Sequence, residues 1–227
     1  MADGATPDAA PLATGVTEVG GTAYMFGYEP GAVAGATIAM AELPNLTTVT
    51  GADGRWRMVV PRGVPLTPCA THSEFAPMCL QTFTFVEALP LNLNLQMVPP
   101  FYFNAFAGLL GRQVDPPVCQ LVTTVNTKDV FLLDRKQFYG YGAHGVAGAT
   151  CELDPPVAQP VYFSAVTIPK KQLAETTTDG GVVWTNLPAG KYVVRTQHPT
   201  KKFADFIATC EPGRFINACP PWGAREL

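Results

Sequence analysis

A pentapeptide that occurs twice constrains this chain more than any other feature. Val33-Ala34-Gly35-Ala36-Thr37 returns letter for letter as Val146-Ala147-Gly148-Ala149-Thr150. Each copy is followed by the same features in the same order. After the first come Thr50-Gly51-Ala52-Asp53-Gly54, the alternating run Arg55-Trp56-Arg57-Met58-Val59-Val60, and Pro61-Arg62-Gly63. After the second come Thr177-Thr178-Asp179-Gly180, the run Val182-Val183-Trp184-Thr185, and Leu187-Pro188-Ala189-Gly190. The Asp-to-Gly spacing is ten residues in the first copy (53 to 63) and eleven in the second (179 to 190). Five matching letters alone are a weak signal, but three features in one order make an internal repeat. The 227 residues therefore read as two tandem units.

Each feature has a physical job. Asp-Gly between extended runs supplies a tight turn, glycine taking the positive φ that other residues resist. Trp56 and Trp184 lie two and four residues beyond their turns, so they share one alternating side and are expected to anchor the two cores. Pro-x-Gly makes the next turn, and Lys191 to Thr196 alternates again as a further strand. No segment longer than ten residues carries a convincing 3.6-residue period, and Val130 to Phe138 reads as a short helix or a strand. A hydrophobic content of 47% is ample for a core, while 22 Pro and 21 Gly punctuate it into short elements. The expected fold is all-β.

The order Val-x-Gly-Ala-Thr, Thr-x-x-Asp-Gly and Leu-Pro-Ala-Gly-Lys-Tyr-x-Val resembles the carboxypeptidase regulatory-like, or transthyretin-like, β-sandwich family. The resemblance covers residues 146–198 well and 33–72 less fully, since Gly63-Val64-Pro65 replaces the family's Gly-x-Tyr. It implies two tandem Ig-like or transthyretin-like sandwich modules acting as accessory, binding or spacer units without catalytic residues. The expected divisions are a flexible N-terminal tether (1–15), a first module (16–98), and a second (99–227) with extra segments at both ends. Residues 99–145 and 203–227 fall outside the resemblance. The motifs report turn chemistry and are nearly silent about function.

Composition narrows the setting. The net charge is −3 and the only basic runs are Lys170-Lys171 and Lys201-Lys202, so nothing advertises a nucleic-acid surface. No apolar stretch reaches the roughly 18 residues of a spanning helix. Phe101 to Leu110 is the most apolar run, and Asn104 interrupts it. Met1 to Gly15 lacks the basic and apolar regions of a signal peptide and reads as a tether of the kind that follows a cleaved signal or a lipid-modified cysteine, so a membrane tether through a lost lipid anchor is one expectation. The six cysteines are Cys69, Cys79, Cys119, Cys151, Cys210 and Cys219. None forms a C-x-x-C pair, so they read as disulfides, and disulfides imply an oxidising, extracytoplasmic compartment. Sequence alone leaves their connectivity open. Local loop closure favours Cys69 with Cys79 and Cys210 with Cys219, leaving Cys119 for Cys151.

Three histidines are the candidate site. His72 ends a strand nine residues past Gly63, and His198 ends one eight residues past Gly190, while His144 just precedes the second pentapeptide. Imidazole is a common ligand for divalent transition metals, and strand ends gather sites. Convergence of His72, His144 and His198 between the modules, near Glu74, Tyr139 or Tyr141, would make a metal-dependent enzyme. Against this, a repeat inherits its residues, and matched histidines need share only a turn role. Ser73 and Ser164 lie in no nucleophile elbow. Glu152 and Asp154 share a strand face, as a cation site, a glycosidase pair or a solvated edge would. Phe101, Tyr102, Phe103, Phe138, Tyr139 and Tyr141 suit a carbohydrate ring or a core. Asn45-Leu46-Thr47 fits the glycosylation pattern. The leading expectation is a binding or structural protein for a protein or glycan partner, without catalytic machinery. The metal-dependent enzyme and the carbohydrate-binding module are the alternatives.

Overall fold

The computed structural model describes residues 15–26, 31–87, 92–111, 113, 118–132 and 144–227. Its first half runs through β1 (Val16–Met25), β2 (Thr37–Met40), β3 (Leu43–Val49), β4 (Arg55–Pro61), β5 (Pro65–Leu66) and β6 (Pro68–His72). It continues with β7 (Phe75–Cys79), β8 (Phe83–Thr84) and β9 (Leu95–Met97). A helix, α1 (Phe101–Leu109), leads to β10 (Cys119–Thr124) and a 3-10 turn (Lys128–Leu132). There follow β11 (Thr150–Asp154), β12 (Val161–Phe163), β13 (Pro169–Lys170), β14 (Gly181–Leu187), β15 (Gly190–Gln197), β16 (Phe206–Cys210) and β17 (Phe215–Ala218). The chain is all-β as expected. The run at 101–110 forms the one α-helix among the described residues. Of Val130 to Phe138, the first residues belong to the 3-10 turn and those from 133 on lie outside the described residues, as does nearly all of the 1–15 segment.

The repeat is visible in the hydrogen bonds. In the first copy the Thr50 hydroxyl donates to the Val33 carbonyl at 2.7 Å and accepts from the Ala36 amide at 2.9 Å. In the second, Thr176 donates to Val146 at 2.6 Å and accepts from Ala149 at 2.9 Å. Both threonines are buried, and so are the residues they clasp, Val33 and Ala36 in one copy and Val146 and Ala149 in the other, so each hydroxyl satisfies a buried carbonyl and a buried amide. The Asp-Gly turns also match. The Asp53 carboxylate accepts the Arg55 amide and Asp179 accepts the Gly181 amide, both at 3.0 Å. Gly54 and Gly180 take φ of 74° and 75°, and a Cβ there would strike the carbonyls of Ala23 and Val125 at 2.4 and 2.3 Å. Those two carbonyls accept the amides of Val33 and Val146. Hence Ala23 corresponds to Val125, and β1 with β4 corresponds to β10 with β14.

Two cores result. Trp56 lies in the first with Ile38, Met58 and Phe75, and Trp184 lies in the second with Leu121, Tyr192 and Phe206. Both indoles are buried, but their strand positions differ by two residues: Trp56 faces Gly21 across its ladder and Trp184 faces Leu121. The sheets join the halves. One nine-stranded sheet runs β13-β12-β14-β10-β17-β7-β6-β2-β3, beside the smaller sheets β4-β1-β9, β11-β15-β16 and β5-β8. β17 is the link, parallel to β10 on one side and to β7 on the other.

A Thr50→Val or Thr176→Val substitution keeps the side-chain shape but strands one buried amide and one buried carbonyl. Each should cost about 1–3 kcal/mol, with similar losses in the two halves, as read by urea denaturation.

Candidate functional site

The junction is built by the segment following β16. Successive side chains of a strand point to opposite faces, and β17 uses both: Phe215 enters the first core and Ile216 the second. Beyond it, Trp222 inserts into the first core, its ring edge-on to Phe83 at 4.9 Å and its indole N–H donating to the Asn92 carbonyl at 3.0 Å. The Gln81 side chain accepts the Gly223 amide at 2.7 Å. The Thr82 amide donates to the Ile207 carbonyl, and the hydroxyls of Thr82 and Thr209 lie 2.7 Å apart.

A cleft of about 310 Å³ opens at this junction. Phe26, Phe163 and Phe215 give it apolar walls, and Gln96, Thr124, Asn217, His144 and Asp179 give it polar ones. Asn217 donates to the Gln96 carbonyl at 3.1 Å. The Asp179 carboxylate, already holding the Gly181 amide, also accepts the Thr167 hydroxyl at 2.8 Å. Burial lowers the pKa of His144 below its ordinary 6.5, with the Asp179 charge opposing. A neutral imidazole beside a carboxylate, with no Lys or Arg among the described lining residues, favours a neutral or cationic ligand over an anion. Cys219 also lines the cleft, but burial pushes its thiol up to about 12, so it is inert as a nucleophile near neutrality. Sequence reasoning singled out His144, and Asp179 only as a turn residue; Gln96 and Asn217 went unnoticed. The one signal was an isolated amide inside the apolar run Phe215-Ile216-Asn217-Ala218.

The other two histidines stay local. Nδ1 of His72 accepts the Glu74 amide at 3.2 Å, and Nδ1 of His198 accepts the Thr200 amide at 3.1 Å. Each ring packs near the expected Phe, with centroids 5.4 Å apart for Phe75 and 6.3 Å for Phe203. The Nε2 of His198 lies 3.2 Å from the Ala147 carbonyl. The shared role is closing a turn. Among the described residues, which include all three histidines, no group of three or more His, Cys, Asp or Glu is placed to hold a metal ion. The structure does not bring His72, His144 and His198 together as such a group. Matched strand ends belong to different sheets, His72 to β6 in the nine-stranded one and His198 beyond β15 in another.

The cysteines need a correction. Cys69 bonds Cys79, the residue directly opposite it on the neighbouring strand. Cys119 bonds Cys210, not Cys151, across a Cα separation of 5.8 Å. Cys151 and Cys219 are buried free thiols. Cys210 and Cys219 are close in sequence, but the chain turns at Glu211–Arg214 and enters a different sheet, which separates them. Cys151 faces Thr196 in its ladder, its sulfur 3.3 Å from that hydroxyl, and its thiol is likewise pushed up to about 12 by burial.

The remaining candidates are accounted for locally. Asp154 pairs with Arg195 at 2.6 Å, an exposed pair on the outer face of β11 that carries Glu152 as well. Ser164 closes a turn with Ile168 through its backbone, and Ser73 lies between β6 and β7. Asn45 is exposed on β3. Phe101 is exposed at the start of α1 and stacks on Tyr102 with centroids 4.1 Å apart, while Tyr102 meets Phe26 edge-on at 5.3 Å. Phe138, Tyr139 and Tyr141 lie outside the described residues.

No family model and no curated protein matches the chain. Among solved structures, the Bacillus anthracis TIE protein aligns over 93% of this chain at 14% identity, with a TM-score of 0.29. This chain spans 34% of that protein's length. A mutant of the shaft pilin spaA from Lactobacillus rhamnosus GG aligns over 91% of this chain and 98% of its own, at 11% identity and a TM-score of 0.27. A streptococcal ancillary pilin aligns over 93% and 69%, at 9% identity and a TM-score of 0.28. Likeness at this level carries no argument about function.

Protonation of His144 supplies a test of its burial. Its folded-state pKa is depressed, so the unfolded chain takes up the proton first as the pH falls through 6.5. Stability should decline from that point until the folded ring also protonates. His144→Gln should flatten this part of the acid limb in urea unfolding measured from about pH 7 to about pH 5.

Proposed function

We propose that the chain is an extracytoplasmic β-sandwich protein that binds a partner or bears structure, with no catalytic machinery of its own. The reading takes it as two modules, residues 16–98 and 99–227, and concerns how they are held. The observation that carries it is the junction. A strand shared by both halves and an indole from one half in the core of the other tie the halves together around a cleft. Preformed clefts of this size, apolar with a few convergent polar groups, suit small ligands or a side chain of a protein partner. Two of the candidate metal ligands, His72 and His198, each accept an amide two residues on and so have a local turn role.

The disulfides support the compartment. Cys119–Cys210 closes a separation of 91 residues, and in the chain-entropy model such a bridge contributes about 4–5 kcal/mol, which is lost in a reducing cytosol. The protein collected from an oxidising compartment should resist alkylation when native. It should yield two alkylatable thiols, Cys151 and Cys219, once unfolded without reductant. Recovery of six thiols would sink the extracytoplasmic reading. Calorimetry should show one cooperative transition, and Trp222→Ala should lower it as a whole by about 3–5 kcal/mol. Two independent transitions would mean that the halves are not a single unit.

Glycan binding is a second reading, favoured by one observation: Phe101 is 61% exposed and its ring is stacked on that of Tyr102. Such a platform suits the apolar face of a sugar. If it binds, a glycan array should give hits that Phe101→Ala weakens at least about fivefold, roughly 1 kcal/mol. An array without hits removes this reading and leaves the first intact.

A further inference from the structure

Three observations meet at Cys69–Cys79. The first is redundancy. Its cysteines face each other on β6 and β7, strands already held by their own ladder, and the bridge closes a separation of only 10 residues. Constraint from a disulfide grows with the loop it closes, so this bridge adds less than Cys119–Cys210. The second is access. Cys69 is partly exposed, and a cavity of about 140 Å³ is lined by both cysteines. Cys119 and Cys210, by contrast, are 0% and 2% exposed. The third is charge. Nη1 of Arg214 lies 3.6 Å from both sulfurs and lines the same cavity, while its Nη2 pairs with Glu211 at 2.6 Å. A guanidinium does not lose its proton, and a cation beside a sulfur stabilises the thiolate and makes it a better leaving group.

We propose that Cys69–Cys79 is a thiol-exchange site, opened by an external dithiol, with Arg214 positioned to stabilise the departing thiolate. A thiolate of the dithiol attacks Sγ of Cys69, the accessible sulfur. The S–S bond breaks, and its electron pair leaves with Sγ of Cys79 as a thiolate beside Arg214. The product is a mixed disulfide between Cys69 and the dithiol. The dithiol's second thiolate then attacks its own sulfur in that mixed disulfide and releases Cys69 as a thiolate. The two electrons come from the dithiol, which ends as its cyclic disulfide. The reaction is located at the junction, since Cys79 faces Ile216 of β17 and Arg214 immediately precedes that strand. The reactive bridge sits in one half and its cation comes from the other.

Dithiothreitol is the probe. The oxidised protein is treated under native conditions, quenched with an alkylating agent at intervals, and mapped by mass spectrometry. Cys69 and Cys79 should become labelled at least about tenfold faster than Cys119 and Cys210, while far-ultraviolet circular dichroism stays native. Arg214→Gln should slow the opening about tenfold, Arg214→Lys should retain most of the rate, and Glu211→Gln, which frees the guanidinium of its counter-ion, should raise it. The proposal is overturned if both bridges open together, or if Arg214→Gln reacts at the unmodified rate. Should Arg214→Gln fail to fold, the other two variants decide: a rate for Glu211→Gln at or below that of the unmodified protein overturns it equally.

Discussion

The pairing of β17 with two neighbours at once governs this architecture. Without it β10 and β7 would each present a row of unpaired amides and carbonyls, and buried backbone polar groups without partners are costly. With it, the ladders close on both sides, Gln120 to Thr123 against Phe215 to Ala218, and Phe215 and Ile216 against Met78 and Cys79. All four β17 side chains are buried, and the two-residue period sends Phe215 to one core and Ile216 to the other. The same holds along β12 and β14, where Val161, Phe163 and Val183 face the first core while Tyr162, Val182 and Trp184 face the second. One stretch of sheet therefore serves as a wall to both cores, and the first core is completed by Val161, Phe163, Val183, Phe215 and Trp222 from the second half of the chain.

The duplicated features do something narrower than their duplication suggests. Thr50 and Thr176 clasp matched pentapeptides, Asp53 and Asp179 close matched turns, and His72 and His198 hold matched amides. A repeat preserves what each copy needs in order to fold, and turn chemistry is such a need. The cleft lies where the copies differ. His144 occupies the place that Gly31 has before the first pentapeptide, and Asp179 shares a cleft with it whereas Asp53 is exposed beside Arg55. The segment that builds the cleft's other wall, after β16, lies outside the repeat altogether.

The exposed and buried strands were distinguishable in sequence, though the difference was easy to overlook. Arg55 to Val60 alternates charged with apolar residues and forms a strand with one wet face. Gly181 to Leu187 is apolar almost throughout, the pattern of a strand covered on both faces, and the structure covers it so. The cysteines illustrate the opposite limit. Ten residues separate Cys69 from Cys79 within one hairpin, so proximity in sequence became proximity in space. Nine separate Cys210 from Cys219, yet the chain between them crosses from one sheet to another, and loop length carries no information about that crossing. The helix at Phe101–Leu109 was hidden for a related reason: its aromatic run lacks a polar face, so no 3.6-residue period announces it.

By itself the sequence determined an all-β chain, the two duplicated turn systems, the buried tryptophans and the local bridge between Cys69 and Cys79. Each of these rests on contacts between residues near in sequence or on a two-residue period, and both can be read from the order of letters. Only the tertiary structure decided that the halves share one sheet, that Cys119 meets Cys210, that His72 and His198 each hold a local amide, and that His144, Asp179, Gln96 and Asn217 line one cleft. These depend on which edge β17 finds after the turn at Glu211–Arg214. That choice is made by the cores it must fill on both faces, and no local pattern in the chain encodes it.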